Sequence, residues 1–345
     1  MLIGICGTSY SGQDEVAKYL ILQGFKRLRV RRNPQNIETD QILSIDNDND
    51  KKIKLPPTPV IIDEEIEEFN STEQLLEFVT AWWQEKFLIT HISDLKSHEL
   101  LASRPFFLLL SVQASLTVRY DRYLRQVTSP QLKPISLDEF MTTSDTELYD
   151  RSAELARLMS KSRLQIINNG GSIELLYVKL SNLNLTDESR LRPSWDAYFM
   201  QLANLAARRS NCMKRRVGCV LVRGRRVIAT GYNGTPRGVL NCNQGGCERC
   251  NLASIGGSSL ATCLCLHAEE NALLEAGRER VSEEAVLYCN TCPCLTCSIK
   301  IVQMGLKEVV YSQSYHMDEK SYKVLRQGGV TLRKYWPPEE GIVII

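Results

Sequence analysis

The sequence predicts an α/β protein of two domains, each built on a sheet layered with helices. The chain has 345 residues, and about 100–200 residues per domain gives two domains. Short apolar runs alternate with amphipathic helical patterns, and 43% of the residues are hydrophobic, which is ample for packed cores. Eleven of the twelve cysteines fall in the second half. We expect a first domain over 1–180, a linker over 181–193 and a second domain over 194–345.

The first domain begins with a strand, a Gly-rich turn and a helix. LIGICG (2–7) is a buried-strand run, and EVAKYLILQGF has the spacing of an amphipathic helix. Residues 64–86 also have helical spacing. FLITHI (87–92) and PFFLLLSVQA (105–114) are buried-strand runs, and 163–180 predict a strand, an Asn-Gly turn and a helix. Strands alternating with helices predict a parallel sheet.

Between these elements lies a polar stretch, 40–59, which ends in prolines and predicts a solvated insertion.

The second domain begins with a helix, WDAYFMQLANLAARRS, whose apolar positions recur every three or four residues. VGCVLVRGRRVIATGYN (217–233) predicts two strands around an exposed Arg-Gly-Arg-Arg turn. A Cys- and Gly-rich loop (241–265) precedes the helix HAEENALLEAG. The strand AVLYCN, the helix CLTCSIKIVQMG and the strand EVVYS then complete a second α/β sheet.

Net charge and the N-terminus limit the partners. The formal charge is +2 with a pI near 7.9, which leaves no strong electrostatic footprint for a nucleic acid. The N-terminal residues lack a basic start and a cleavage site for secretion, and no apolar run is long enough to span a bilayer. We expect a soluble, intracellular protein with no nucleic-acid or membrane partner, in the cytoplasm and, as a second location, the nucleus.

The most specific pattern joins His267-Ala268-Glu269 to Pro293-Cys294-Leu295-Thr296-Cys297. One imidazole and two thiolates are three zinc ligands, and a catalytic site keeps a fourth position open for water. Zinc brings the pKa of a bound water close to neutrality, and Glu269 can carry the proton of that water to a substrate. This combination is the signature of the zinc nucleobase deaminases.

Two further cysteines compete for the same role, since Cys289 and Cys292 also form C-x-x-C. Cys289 lies in the strand AVLYCN and is more simply a packed thiol. Pro293 fixes the entry to the next helix, which favours Cys294 and Cys297. A C-x-x-C by itself is also compatible with a redox pair or half of a structural zinc site.

A second group of cysteines lies in the Gly-rich loop. Cys242, Cys247 and Cys250 form C-x4-C-x2-C, and Cys263 and Cys265 follow. Four thiolates can close a structural zinc site in a loop that has no core of its own. The predicted set is Cys242, Cys247, Cys250 and Cys265. The choice between Cys263 and Cys265 stays open, and buried free thiols are the alternative.

The N-terminal turn is a departure from a phosphate-binding loop. Gly7-x4-Gly12 is followed by Gln13 and Asp14, where a functional loop has lysine and a hydroxyl residue. Glutamine offers phosphate no charge and aspartate repels it. With the segment INNGGSIELLYVKL, the domain resembles a degenerate P-loop kinase of the nucleotide or dephospho-coenzyme A type. We expect a scaffold, oligomerisation or regulatory module, with nucleotide binding by the loop amides left open.

From about Pro193 to Tyr335 the chain resembles the cytidine/deoxycytidylate deaminase superfamily, and in particular the long fungal deoxycytidylate (dCMP) deaminases with an extra kinase-like domain. The matching segments are RSNCMKRRVGCVLV, TGYNGTPRG, NCNQGGCERCN, CLCLHAEENALL, PCLTCSIKIVQMG and GVTLRKY. The resemblance implies an α/β/α cytidine-deaminase-like second domain. It also implies hydrolysis of dCMP to dUMP and ammonia, which supplies dUMP for thymidylate synthesis.

The resemblance further implies roles for single residues. Glu269 would shuttle protons and Asn233 would touch the sugar, although Asn233 is also a common turn residue. Backbone groups near Ala268 and Cys294 would meet the pyrimidine edge. Candidates for the phosphate are hydroxyl and basic side chains, with solvated surface residues as the alternative. They are Ser210, Lys214, Arg215 and Arg216.

Regulation and assembly also enter by resemblance. The family is activated by dCTP and inhibited by dTTP at a second site near TGYNGTPRG, for which Gly231, Gly234 and Thr235 are the candidates. Mg²⁺ would accompany the effector nucleotide. Members are homo-oligomers, often hexamers. The competing hypotheses are a deaminase acting on tRNA or single-stranded DNA, a catalytically silent binding subunit, and a kinase.

Overall fold

The computed structural model describes residues 1–31, 66–127, 134–150, 152–252, 263–314 and 319–345. The chain forms two compact units. One comprises Met1–Arg192 together with Pro338–Ile345, and the other comprises Pro193–Pro337. The predicted solvated insertion over 40–59 lies outside the described residues.

Strands β1 to β6 of the first unit run parallel in every described pairing, as predicted. The apolar run of β1 is buried: every residue of this strand is buried except Gly7, which is half-buried. The strands are β1 (Leu2–Gly7), β2 (Lys26–Val30), β3 (Glu67–Phe69), β4 (Phe87–Ile89), β5 (Phe107–Gln113) and β6 (Leu164–Ile167).

The helices of the first unit begin at polar caps. Ser71, Asp94, Ser136 and Ser172 each accept a hydrogen bond from a backbone N–H of the first turn. The helices are α1 (Gln13–Leu22), α2 (Thr72–Ala81), α3 (Leu95–Ala102), α4 (Leu116–Gln126), α5 (Leu137–Tyr149), α6 (Glu154–Ser160) and α7 (Ile173–Leu183).

The second unit has a five-stranded sheet in the order β11-β10-β9-β7-β8. β7 pairs antiparallel with β8 and β9, whereas β9, β10 and β11 run parallel. The strands are β7 (Gly218–Arg223), β8 (Arg226–Tyr232), β9 (Val286–Thr291), β10 (Glu308–Gln313) and β11 (Thr331–Lys334). The helices are α8 (Trp195–Ala207), α9 (Glu248–Asn251), α10 (Ala268–Ala276), α11 (Leu295–Met304) and α12 (Glu319–Gln327).

A last strand, β12 (Gly341–Ile344), returns to the first unit. It pairs parallel with β6, which gives the first sheet the order β12-β6-β5-β1-β4-β2-β3. The side chain of Ile345 enters the first core. The second domain expected over 194–345 therefore needs correction. Residues 338–345 belong to the first unit, because β12 pairs with β6.

The predicted linker over 181–193 also needs correction. α7 continues to Leu183, and both Leu183 and Leu185 are buried in the first core. Arg190 is 2% exposed and donates to the backbone carbonyls of Asn184 and Glu339. These residues belong to the first unit because their apolar side chains complete its core.

The predicted helix over 64–86 is shorter than expected. Residues 67–69 form β3, because they pair with β2 at the edge of the sheet, and the helix begins only at Thr72. The other predicted strands and helices of both units lie where the sequence placed them, within a few residues at their ends. Within the described parts of the chain, no helix has the length and apolar content that crossing a membrane requires.

Candidate active site

Three predicted metal ligands come together at the ends of two helices. His267 is the N-cap residue of α10, Cys294 is the N-cap residue of α11, and Cys297 lies in the first turn of α11. The Nδ1 atom of His267 is 3.3 Å from each of the two Sγ atoms. A nitrogen and a sulfur bound to one tetrahedral zinc lie about 3.5 Å apart, so these donors fit a single ion.

The close approach of α10 to β8 sets this arrangement. Gly231 lies on β8, and a Cβ atom added there would be 2.1 Å from the carbonyl oxygen of Ala268. Only glycine allows the strand to lie so close to the first turn of the helix. Ala268 itself is fully buried. Gly231 therefore fixes the depth at which His267 and Glu269 enter the site.

Glu269 lies beside this group in the first turn of α10 and is 3% exposed. Burial raises the pKa of its carboxyl, against the opposing effect of nearby His267. A carboxyl with a raised pKa can carry a proton near neutral pH. The first turn of a helix favours the ionised carboxylate, which opposes the effect of burial on the pKa of Glu269. The side chain is therefore placed where it can exchange a proton.

The two thiols of α11 differ in acidity. The hydrogen bond with Cys297, followed by the one with His267, lowers the pKa of Cys294 to about 3. The same bond, together with burial, raises the pKa of Cys297. The lowered pKa of Cys294 favours the thiolate, which is the form that binds metal.

The rival cysteines take other places. Cys289 is fully buried in β9, where it lies opposite Cys219 of β7. Cys292 is buried, and its backbone N–H donates to the carbonyl of Gln313. Among the described residues, neither joins the group formed by His267 and the two thiols of α11.

Asn233 and Ser210 form one buried hydrogen-bonding network. The Oδ1 atom of Asn233 accepts from Ser210 Oγ at 2.7 Å and from the N–H of Val217 at 2.8 Å. Its Nδ2 atom donates to the carbonyl of Arg215 at 2.7 Å. The amide thus holds residues 210–217 against the end of β8, and it keeps a second Nδ2 hydrogen for another partner.

The remaining candidates lie around this network. Arg216 is exposed, and Arg215 donates to Gln313 Oε1 at 3.1 Å. Gly234 exchanges two backbone hydrogen bonds with Leu266, the residue before His267. The Thr235 hydroxyl is buried, and among the described residues it has no hydrogen-bond partner.

The cysteine-rich loop differs from the sequence prediction. The predicted set of Cys242, Cys247, Cys250 and Cys265 is divided over two overlapping groups of four. One group contains Cys242 and the other contains Cys247. Each group includes a cysteine outside the predicted set. The groups are Cys212, Cys242, Cys250 and Cys265, and Cys247, Cys250, Cys263 and Cys265.

Sequence reasoning missed Cys212 as a member of this cluster, because it precedes the loop by a strand pair. Cys212 lies in the segment after α8, two residues from Ser210, and no spacing relates it to the cysteines of the loop.

The turn from Gly7 to Gly12, predicted to be a degenerate phosphate-binding loop, is hydrogen-bonded by two of the chain's own side chains. Gln13 Nε2 donates to the carbonyls of Gly7 and Thr8. Glu147 Oε1 accepts from the N–H of Ser9 at 2.9 Å and from its hydroxyl at 2.6 Å. The carboxylate thus accepts the hydrogen bond of one loop amide, which a phosphate would accept in a functional loop.

Comparison with known proteins gives consistent matches. Residues 193–313 match the family described as the cytidine and deoxycytidylate deaminase zinc-binding region. The deoxycytidylate deaminase of Schizosaccharomyces pombe is 47% identical, over 99% of this chain and 99% of that protein. The deoxycytidylate deaminase of Saccharomyces cerevisiae is also 47% identical, over the full length of both.

One solved structure is also similar to part of this chain. The dCMP deaminase of cyanophage S-TIM5, in complex with dCMP and dUMP, is 33% identical with a TM-score of 0.34. The match covers 42% of this chain and 98% of that one. The relatives from the two yeasts, by contrast, extend over both units. Their identity over the whole length shows that this chain belongs to the deoxycytidylate deaminase family.

Proposed function

We propose that this protein is a zinc-dependent dCMP deaminase, which hydrolyses dCMP to dUMP and ammonia and so supplies dUMP for thymidylate synthesis. One observation carries the proposal: His267, Cys294 and Cys297 converge beside the buried carboxyl of Glu269. The two full-length relatives that bear this name add support.

The donor set suits zinc. One imidazole and two thiols are borderline-soft ligands, and three protein ligands leave one tetrahedral position for water. When bound, zinc supplies a Lewis acid that lowers the pKa of a coordinated water to near neutrality. The positive ends of α10 and α11 add to the preference for thiolate over thiol.

Glu269 is the proton carrier. Its carboxyl lies next to the metal ligands without being needed as one, and burial raises its pKa. In the reaction it accepts the proton that the attacking water gives up at C4 of cytosine. It delivers this proton to the ring N3, then takes the hydroxyl proton of the C4 adduct and passes it to the amino group, which leaves as ammonia when the C4–N bond breaks.

Substrate contacts follow from the network around β8. The free Nδ2 hydrogen of Asn233 would reach the sugar, while Ser210 fixes the orientation of that amide. The backbone N–H groups at the start of α10, near Ala268, have no carbonyl partner within the helix and would meet the pyrimidine edge. Arg216 is exposed and would bind the phosphate with its planar guanidinium.

The proposed regulatory segment contacts the site through the backbone. dCTP as activator and dTTP as inhibitor, with Mg²⁺, would bind near Gly231, Gly234 and Thr235. The two backbone hydrogen bonds between Gly234 and Leu266 link this segment to the residue before His267. The buried, unpartnered hydroxyl of Thr235 supports a polar ligand there, because such a group costs free energy until it is satisfied.

Other parts of the chain have supporting roles in this proposal. The cysteine cluster holds structural zinc, which stabilises the loop over 241–265. The first unit is a degenerate kinase-like domain that serves assembly or regulation, since Gln13 stands where a functional loop has lysine and Glu147 accepts from the Ser9 amide of the loop. The protein acts as a homo-oligomer, a hexamer in the proposed form, in the cytoplasm and as a second location the nucleus, without nucleic-acid or membrane partners.

The deciding experiment is ammonia release by the purified full-length protein. dCMP is compared with CMP, deoxycytidine and a short single-stranded oligonucleotide, each with and without dCTP and Mg²⁺. Turnover of dCMP that dCTP increases supports the proposal. Conversion in the oligonucleotide alone would favour a polynucleotide deaminase, and no turnover with intact zinc would favour a silent binding subunit.

A further inference from the structure

Half of the twelve cysteines of the chain gather at one point of the second unit. Five are buried and Cys263 is half-buried. Within the described residues, this local core consists of cysteines alone, so apolar packing does not explain it. The six are Cys212, Cys242, Cys247, Cys250, Cys263 and Cys265.

We propose that these six cysteines bind two zinc ions in a single cluster, in which the thiolates of Cys250 and Cys265 bridge both ions. The inference rests on the structural zinc proposed above and specifies its number and ligands. Cys212 and Cys242 would complete the shell of one ion. Cys247 and Cys263 would complete the shell of the other.

The grouping of the sulfur atoms carries this assignment. The two groups of four each have all ligand atoms within 4.8 Å of one another, and they share only Cys250 and Cys265. Each group by itself is a complete tetrahedral set. Two tetrahedra that share two corners need six thiolates in total, which is the number present.

The sulfur–sulfur distances agree with shared tetrahedra. A zinc–sulfur bond of about 2.3 Å gives a sulfur–sulfur separation of about 3.8 Å in a tetrahedron. Cys250 Sγ lies 3.7 Å from Cys212, 3.6 Å from Cys263 and 4.0 Å from Cys265. Cys247 Sγ lies 3.9 Å from Cys263 Sγ. Disulfides need about 2.05 Å, so these sulfurs are arranged for a metal.

Cys250 has the surroundings of a bridging ligand. Its sulfur is close to Cys212 of one group and to Cys263 of the other, as well as to Cys265, which both groups share. If only one of the two groups held an ion, the two remaining cysteines of the other group would lie beside the metal-bound thiolates without binding a metal themselves. Two ions use all six sulfurs.

The charge of the cluster is also reasonable. Six thiolates and two zinc ions have a formal charge of −2, the same as one zinc with four thiolates. Backbone N–H groups point to terminal sulfurs: Met213 donates to Cys242 and Leu264 to Cys247, each at 3.4 Å. Arg249 interacts with Cys263 and Cys250. These donors offset the remaining negative charge.

The test is zinc content per chain in the full-length protein, measured by mass spectrometry of the metal. We expect three zinc ions in the wild type, one at His267 and two in the cluster. The double variant Cys294→Ala/Cys297→Ala should retain two. A wild-type content of two, with one lost in the double variant, would overturn the cluster while leaving the proposed catalytic site intact.

Single cysteine variants assign the ligands. Cys263→Ser should lose one zinc ion, and Cys250→Ser should lose both ions of the cluster. Because the zinc content is counted directly and not through turnover, the result does not depend on catalysis. Cys6→Ser is the matched control, because Cys6 is a buried thiol of the first unit and should retain three. Unchanged zinc in Cys263→Ser would overturn the proposal.

A measurement on the wild type avoids dependence on the folding of variants. After replacement of zinc by ¹¹³Cd, the two cluster ions should give resonances that are coupled to each other through the shared sulfurs. The ion at His267 should give a third, uncoupled resonance. Two uncoupled resonances in total would mean one ion per site and would exclude the bridged cluster.

Discussion

The carboxylate of Glu147 on α5 accepts hydrogen bonds from both the backbone N–H and the hydroxyl of Ser9, at 2.9 and 2.6 Å. Its second oxygen lies 3.7 Å from the guanidinium of Arg119, which is 5% exposed. An internal carboxylate is therefore bound to an amide of the turn predicted to be a degenerate P-loop, and an internal arginine balances its charge.

This relationship predicts that Glu147→Gln lowers the free energy of unfolding by about 2–3 kcal/mol, because the buried Arg119 loses its counter-charge. Urea denaturation measures the change. Glu99→Gln is the control, since Glu99 pairs with Lys161 at the surface and should change stability by less than about 1 kcal/mol.

In the wild type, calorimetric titration with ATP and Mg²⁺ should give no saturable binding. Tight binding would contradict the interpretation of a degenerate loop.

The second prediction concerns the proton carrier. Glu269→Gln should retain zinc and lose turnover of dCMP by about 10²–10⁴-fold, the range of general acid–base catalysis. Glu270→Gln is the matched control: Glu270 follows directly, but it pairs with Lys300 and should keep turnover within a few-fold. Steady-state kinetics and metal content are measured on both. Full turnover in Glu269→Gln would remove the proposed role.

The third prediction tests the contact between β8 and α10. Gly231→Ala should reduce turnover at least about tenfold and destabilise the protein by about 1–3 kcal/mol, since the new methyl group would overlap Ala268 O and move the first turn of α10. Gly171→Ala is the control, because a Cβ atom there meets nothing within 4 Å. Wild-type kinetics in Gly231→Ala would show that the approach of strand and helix does not set the site.

The fourth prediction concerns the proposed effector segment. Thr235→Val replaces a buried hydroxyl that has no partner among the described residues, so stability should be unchanged or slightly higher. If the hydroxyl binds the effector, activation by dCTP should be lost or require several-fold more dCTP, with basal turnover retained. Thr230→Val on the exposed side of β8 serves as the control. Unaltered activation would exclude Thr235 from effector binding.

The fifth prediction concerns acid stability of the second unit. The hydrogen bond from Arg333, with a second from Tyr288, lowers the pKa of Asp196 below its ordinary value of 3.8. The folded state therefore binds a proton less readily than the unfolded chain does. The stabilisation is present above the unfolded value and is lost as the pH falls through the folded one.

Asp196→Asn should consequently flatten the acid side of the stability profile and lower stability at neutral pH. Urea denaturation between about pH 3 and 7 measures both effects. Glu283→Gln, at an exposed carboxylate, should leave the profile unchanged. An unchanged acid limb in Asp196→Asn would mean that the pair with Arg333 does not contribute to it.

Local patterns were sufficient for the elements that carry the site. The apolar runs of β1 and β9 predicted the α/β class, and the spacing after His267 and Cys294 predicted the helices that begin at these residues. These predictions hold because each element buries its own apolar face.

Features that depend on distant pairing were not predicted. Residues 67–69 have helical spacing but form a strand, since β2 offers them an open edge. Cys212 joins the cysteine cluster across β7 and β8, which no local spacing encodes. Leu183 and Leu185 follow a helix and precede polar residues, so only the core they enter shows that they are not in a linker.

The return of β12 has a consequence for synthesis. Residues 341–344 are the last to leave the ribosome among the strands of the first sheet, and they pair with β6, which was made far earlier. During translation β6 therefore presents an open edge while the whole of Pro193–Pro337 is produced. Open edges invite pairing with other chains, so the nascent protein is exposed to association at β6 through this interval.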